Sequence, residues 1–132
     1  MVSSRWKSGT NSIYNVGFHL IWCPKYRYEV LVGFVEARLK ELLKQKAVEL
    51  KLDIERLEVM PDHVHLFIKC PTTIAPNVIV KRLKGYTSRV LRQEFGNLNR
   101  LPSLWTNSYY CESIGHISEE TIKRYIEEQK TK

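Results

Sequence analysis

Hydrophobic and polar positions alternate sharply near the start of the chain. Across 12–23, Tyr14, Val16, Phe18, Leu20 and Trp22 share one face at a period of two, which predicts a strand that Pro24 ends. The period then lengthens. Across 31–52, Phe34, Val35, Leu39, Leu42, Leu43, Ala47 and Leu50 recur at steps of three and four with Lys and Glu between them, the pattern of an amphipathic helix. Residues 53–59 return to a strand pattern, Met60-Pro61-Asp62 forms a turn, and 63–70 continues as a third strand, so short a link implying an antiparallel hairpin.

Pro71, Thr72 and Thr73 lead into a second helix near 76–95, with Val78, Ile79, Leu83, Tyr86, Val90 and Leu91 as its apolar stripe and Gly96 as its stop. Residues 97–103 then read as a loop and 104–114 as a fourth strand, broken by Gly115. Ser118 can cap a last helix that carries Glu119 and Glu120 in its first turn, where the positive helix end favours acidic residues. The order β-α-β-β-α-β-α predicts an α+β fold, a ferredoxin-like or RRM-like plait. It has a four-stranded antiparallel sheet, two helices on one face and an appended C-terminal helix. No repeat, low-complexity stretch or linker interrupts it, so 1–132 is expected to be one domain.

Charge narrows the partners. Lys and Arg number 21 against 14 Asp and Glu, a formal net charge of +7, which suits a polyanion but equally fits a basic surface with no nucleic-acid partner. Cys23, Cys70 and Cys111 are odd in number and lack a C-x-x-C spacing, which points to reduced thiols and away from a disulfide framework or a zinc ribbon. The first eleven residues are polar and no apolar run approaches membrane-spanning length, so a cytoplasmic location is expected.

Two clusters carry candidate chemistry. His63 and His65 stand two apart on a predicted strand, so both imidazoles point to one face while Val64, Leu66 and Ile68 point to the helices. Neutral ring nitrogens so placed suit one divalent ion, although an H-x-H pair fits an ordinary polar sheet face as well, and two side chains need a third ligand to hold a metal. On the last helix Ile122, Tyr125, Ile126 and Gln129 form one stripe. Either Tyr125 is core packing and Gln129 a frayed end, or the Tyr125 hydroxyl and Gln129 amide serve one site a helical turn apart. A phenol is a poor nucleophile at neutral pH until a nearby cation favours the phenolate.

The segments His19-Leu20-Ile21-Trp22-Cys23-Pro24-Lys25-Tyr26-Arg27, Met60-Pro61-Asp62-His63-Val64-His65-Leu66 and Tyr125-Ile126-Glu127-Glu128-Gln129 together resemble the TnpA-type single-tyrosine HUH transposases of small bacterial and archaeal insertion sequences. The resemblance runs from about Ile13 to Gln129. It implies an enzyme that cleaves and rejoins single-stranded DNA at hairpin-marked element ends through a 5′-phosphotyrosine. Tyr125 would be the nucleophile, and His63, His65 and Gln129 the ligands of Mg²⁺ or Mn²⁺.

The resemblance also implies a homodimer in which the tyrosine helix of one subunit completes the histidine site of the other, and the Gly115-His116-Ile117 stretch before that helix could serve as a hinge. DNA would be held by its backbone and shape, and the candidates are Lys81, Arg82, Lys84, Arg89 and Arg92 on the second helix and Lys25, Tyr26 and Arg27 after the first strand. His19 and His116 read as structural histidines. Two rivals fit less well. A histidine-triad nucleotide hydrolase would need a third histidine where Phe67 stands, and an RRM-type RNA-binding module would need a glycine- and aromatic-rich signature that 63–70 lacks.

Overall fold

The computed structural model describes residues 8–9, 12–13 and 16–115. A short antiparallel pairing of Ser8–Gly9 with Ser12–Ile13 precedes the main sheet. The sheet is built from β1 (Val16–Trp22), β2 (Asp53–Met60), β3 (His63–Cys70) and β4 (Tyr110–Gly115), with α1 (Gly33–Glu49) between β1 and β2 and α2 (Pro76–Glu94) between β3 and β4. The spatial order is β2-β3-β1-β4, and every neighbouring pair is antiparallel. This is the α+β plait that the alternation of periods predicts.

The core explains the layering. Val64, Leu66, Ile68 and Cys70 on β3 and Leu20 and Trp22 on β1 are buried in one cluster with Leu39, Leu42 and Leu43 of α1 and Ile79, Leu83 and Leu91 of α2. Each such leucine contributes about 1.5–3 kcal/mol by leaving water, which fixes both helices to the same side of the sheet. The opposite side stays open. Burial alternates strictly along β3, so His63, His65, Phe67 and Lys69 stand together on that open face.

The boundaries depart from the sequence reading where proline and tertiary contacts override periodicity. Within the expected strand over 12–23, the described ladder to β3 and β4 covers Val16–Trp22, and Pro24, which has no N–H to donate, opens a tight turn at Lys25–Arg27. The expected strand over 104–114 shortens to Tyr110–Gly115. Leu104 and Trp105 are buried next to the end of β1 instead, held where Lys25 N donates to Leu104 O at 2.8 Å and Thr106 N to Cys23 O at 3.0 Å. The loop over 97–103 contains a 3-10 turn, Gly96–Arg100, with Leu98 buried. Two residues assigned to apolar stripes lie outside them: Phe34 is 85% exposed and Val78 38% exposed, because each helix buries a narrower face than its apolar residues cover.

Trp105 shows how the loop is fixed. Its ring meets Trp22 edge-on at 6.0 Å, and its Nε1 donates at 3.1 Å to Thr87 Oγ1, whose own hydroxyl donates to Leu83 O. Thr87 is fully buried, so this pairing satisfies polar groups that would otherwise cost stability. Across the helices, Arg38 on α1 binds both carboxylate oxygens of Glu94 on α2, at 2.8 and 3.0 Å. No helix among the described residues is long and apolar enough to cross a membrane.

Candidate functional site

β3 is an inner strand, bonded to β2 on one side and β1 on the other, and its polar face carries the histidine pair. The rings of His63 and His65 lie 4.8 Å apart between centroids at 65° to one another. Each has its Nδ1 engaged. His63 Nδ1 is 2.7 Å from Asp62 Oδ1, and since a carboxylate only accepts, the nitrogen donates. His65 Nδ1 is 3.1 Å from His19 Nε2 on β1.

Asp62 is itself held. Arg27 Nη2 donates to its other oxygen at 2.8 Å, so one carboxylate bridges the turn after β1 and the start of β3. Hydrogen bonds from His63 and then from Arg27 keep the Asp62 carboxyl below the ordinary carboxylate range. The turn that delivers Arg27 is strained: Tyr26 and Arg27 have φ of 59° and 55°, the left-handed region that costs about 1–2 kcal/mol for a residue with a Cβ. Arg27 N donates to Pro24 O at 2.9 Å and helps hold that shape.

His19 completes the floor. It stacks on Phe67 at 4.1 Å and 11°, meets Tyr110 edge-on at 6.0 Å, and has Nδ1 3.8 Å from Glu112 Oε1 on β4. Burial, with the positive potential of His63 and His19 added, lowers the His65 pKa, so the neutral, ligating form of its imidazole persists to lower pH than usual. The donor set fits a divalent ion bound by two imidazole nitrogens. It is not a complete cage: among the described residues no group of three or more His, Cys, Asp or Glu side chains could hold a metal. An ion bound there would need further ligands. Gln129 and the nucleophile candidate Tyr125 lie outside the described residues, as do His116 and the rest of the expected last helix.

The cationic candidates divide by what they touch. Lys81, Arg82 and Arg89 are exposed and line a groove of about 440 Å³ with Lys46 and Tyr86. Lys84 instead donates to Thr106 O and Ser108 O, and its burial lowers its pKa. Arg92 donates to Asn99 Oδ1 at 3.1 Å and Leu101 O at 2.9 Å. Both brace α2 against the following loop. Tyr26 is 62% exposed, with Lys25 Nζ 5.4 Å from its ring centre. The sequence reading took Asp62 only as a turn residue and left Glu112 unassigned. An aspartate immediately before H-x-H was the one available signal, while Glu112 enters through strand register, which spacing does not reveal.

Known proteins share the sequence and fold of this chain. A family described as IS200-like transposase matches residues 12–129. The ISDra2 transposase TnpA of Deinococcus radiodurans is 37% identical over 129 residues, covering 96% of this chain and 92% of the relative. A transposase for insertion sequence element IS200 from Salmonella typhimurium is 26% identical, covering 94% and 86%. Among solved structures, a candidate transposase from Deinococcus radiodurans R1 superposes with a TM-score of 0.75 at 36% identity, over 93% of this chain and 97% of that one. A REP-associated tyrosine transposase bound to a REP hairpin shares the fold at a TM-score of 0.58 and 13% identity, over 96% of this chain and 68% of that one.

Proposed function

The chain belongs to the IS200-like transposase family, and on that premise we propose that it cleaves and rejoins single-stranded DNA at hairpin-marked element ends, with Tyr125 as nucleophile and Mg²⁺ or Mn²⁺ held by His63, His65 and Gln129. The observation that carries the reading is the side-by-side placement of His63 and His65 on the open face of an inner strand, each with Nδ1 hydrogen-bonded. That pattern fits two rings presenting Nε2 to a common ion.

The Tyr125 phenolate oxygen forms a bond to a DNA phosphorus while the bond from phosphorus to the 3′ oxygen breaks, leaving a 5′-phosphotyrosine and, as the departing oxygen takes a proton from water, a free 3′-hydroxyl. The phosphodiester bond energy stays in the tyrosyl ester, so the 3′-hydroxyl of another end reverses the step and exchanges strands without a nucleotide cofactor. A divalent ion at the histidines supplies positive charge that offsets the phosphoryl oxygens and favours the phenolate. His63 and His65 serve as neutral ligands, and Asp62 and Arg27 hold His63 in orientation.

The REP hairpin bound by the solved REP-associated tyrosine transposase supports a DNA hairpin as the partner. Lys81, Arg82 and Arg89, together with Lys25 and Tyr26, supply cations and an aromatic face for its backbone and for unpaired bases. The active form is a homodimer in which the Tyr125 helix of one subunit serves the histidines of the other.

The test incubates purified protein with Mn²⁺ and a labelled single-stranded oligonucleotide from the ends of its own element, then separates the products on a denaturing gel. A metal-dependent protein–DNA adduct that disappears in Tyr125→Phe is expected. An adduct that survives this substitution, or none on the correct ends, overturns the assignment of Tyr125.

A further inference from the structure

His65 does not hydrogen-bond to a carboxylate. Its Nδ1 faces another imidazole, the Nε2 of His19 at 3.1 Å, so which nitrogen carries the proton depends on a second ring. If His19 donated, the remaining proton of neutral His65 would sit on Nε2 and block that nitrogen as a ligand. The charge beside His19 favours one direction. Its Nδ1 faces Glu112 Oε1 at 3.8 Å, too long for a direct hydrogen bond yet close enough for the charge to favour a proton on Nδ1. His19 Nε2 then holds a lone pair and accepts from His65 Nδ1. The flat stack of His19 on Phe67 fixes the plane in which Nε2 meets His65.

Other groups around His65 do not take this role. Glu58, opposite it in register on β2, pairs with Arg56 at 3.5 Å. Ile21, its partner on β1, has no polar side chain.

We propose that His19 is a positioning residue, the middle member of a Glu112–His19–His65 relay that fixes the proton of His65 on Nδ1 and presents Nε2 to the metal. This rests on the metal reading of His63 and His65 above. It assigns a role to the first of the three motifs in the sequence, whose histidine spacing alone leaves structural. The relay joins three adjacent strands, β4, β1 and β3, so the tautomer of the inner strand is set from the edge of the sheet.

The test uses the full chain without metal and reads imidazole nitrogen shifts by NMR, followed by titration with Mn²⁺ in a calorimeter. Wild type is expected to show His65 protonated at Nδ1. His19→Phe keeps a ring to stack on Phe67 but removes the acceptor, so His65 should shift to the Nε2 proton and Mn²⁺ affinity should fall by about 10–100-fold. His19→Gln keeps an acceptor at the same reach and should restore both the tautomer and most of the affinity. An Nε2-protonated His65 in wild type overturns the relay, as does Mn²⁺ binding in folded His19→Phe equal to wild type. His63→Ala separates the two readings: if Mn²⁺ binding survives it, the metal site itself is misassigned, whereas loss there with no effect at His19 removes the relay alone.

Discussion

Arg27 places its Nη2 2.8 Å from Asp62 Oδ2, while the other oxygen of that carboxylate accepts from His63. The pair ties a strained turn to the orientation of a histidine on the neighbouring strand. Asp62→Ala should therefore lower Mn²⁺ affinity by about 10–100-fold, the usual cost of losing the partner that orients a ligating imidazole. Arg27→Met should cost less, since Asp62 still accepts from His63. Calorimetric titration of both variants checks the order, and an unaffected Asp62→Ala would remove the orienting role.

On α2 the cations should separate experimentally as they do structurally. Replacing Lys81, Arg82 and Arg89 together with alanine should weaken single-stranded DNA binding alike for all sequences and flatten the salt dependence by up to about 2 in slope, at about 0.7 per phosphate contact. Arg92→Ala should instead lower stability by about 1–2 kcal/mol through its lost bonds to Asn99 and Leu101. Fluorescence anisotropy over a salt series and urea denaturation distinguish the two effects. A flat slope for Arg92→Ala with stability unchanged would reverse the division.

Thr87→Val should destabilise the chain by about 1–3 kcal/mol, because it leaves Trp105 Nε1 buried without its acceptor. Thr87→Ser keeps the hydroxyl and should lose less. Urea midpoints for the three proteins test this, and equal losses for Val and Ser would indicate packing as the cause.

Arg38 holds the Glu94 carboxyl below its ordinary value through hydrogen bonding, and this clamps α1 to α2. A depressed folded-state pKa contributes stability that is complete above the unfolded value and disappears as pH falls through the folded one. Stability measured by urea at successive pH values below about 4.5 should thus fall less steeply in Arg38→Met than in wild type. Parallel curves would show that the pair contributes nothing to the acid limb.

The histidine strand was legible because its alternation is strict: Leu66 is buried and His65 is not, as a period of two requires. Helical stripes were less so. Phe34 and Val78 satisfy the spacing yet face water, since periodicity gives the direction of a face but not where its contact ends. The loop through Leu104 and Trp105 read as strand because its residues are apolar for a tertiary reason, a site next to the end of β1 that local propensity cannot see. His19 illustrates the same limit in the site, where cross-strand register and not sequence distance brings it to His65. The expected Tyr125 and Gln129 fall outside the described residues, so their reading still rests on the motif.

β3 is gripped by a neighbour along each of its edges. Whatever lands on His63 and His65 therefore meets a finished surface and need not fold the chain around itself, in contrast to small metal-folded modules. Little chain entropy is spent at capture. The fixed spacing of the rings sets what two of the ligand positions accept before any further ligand arrives.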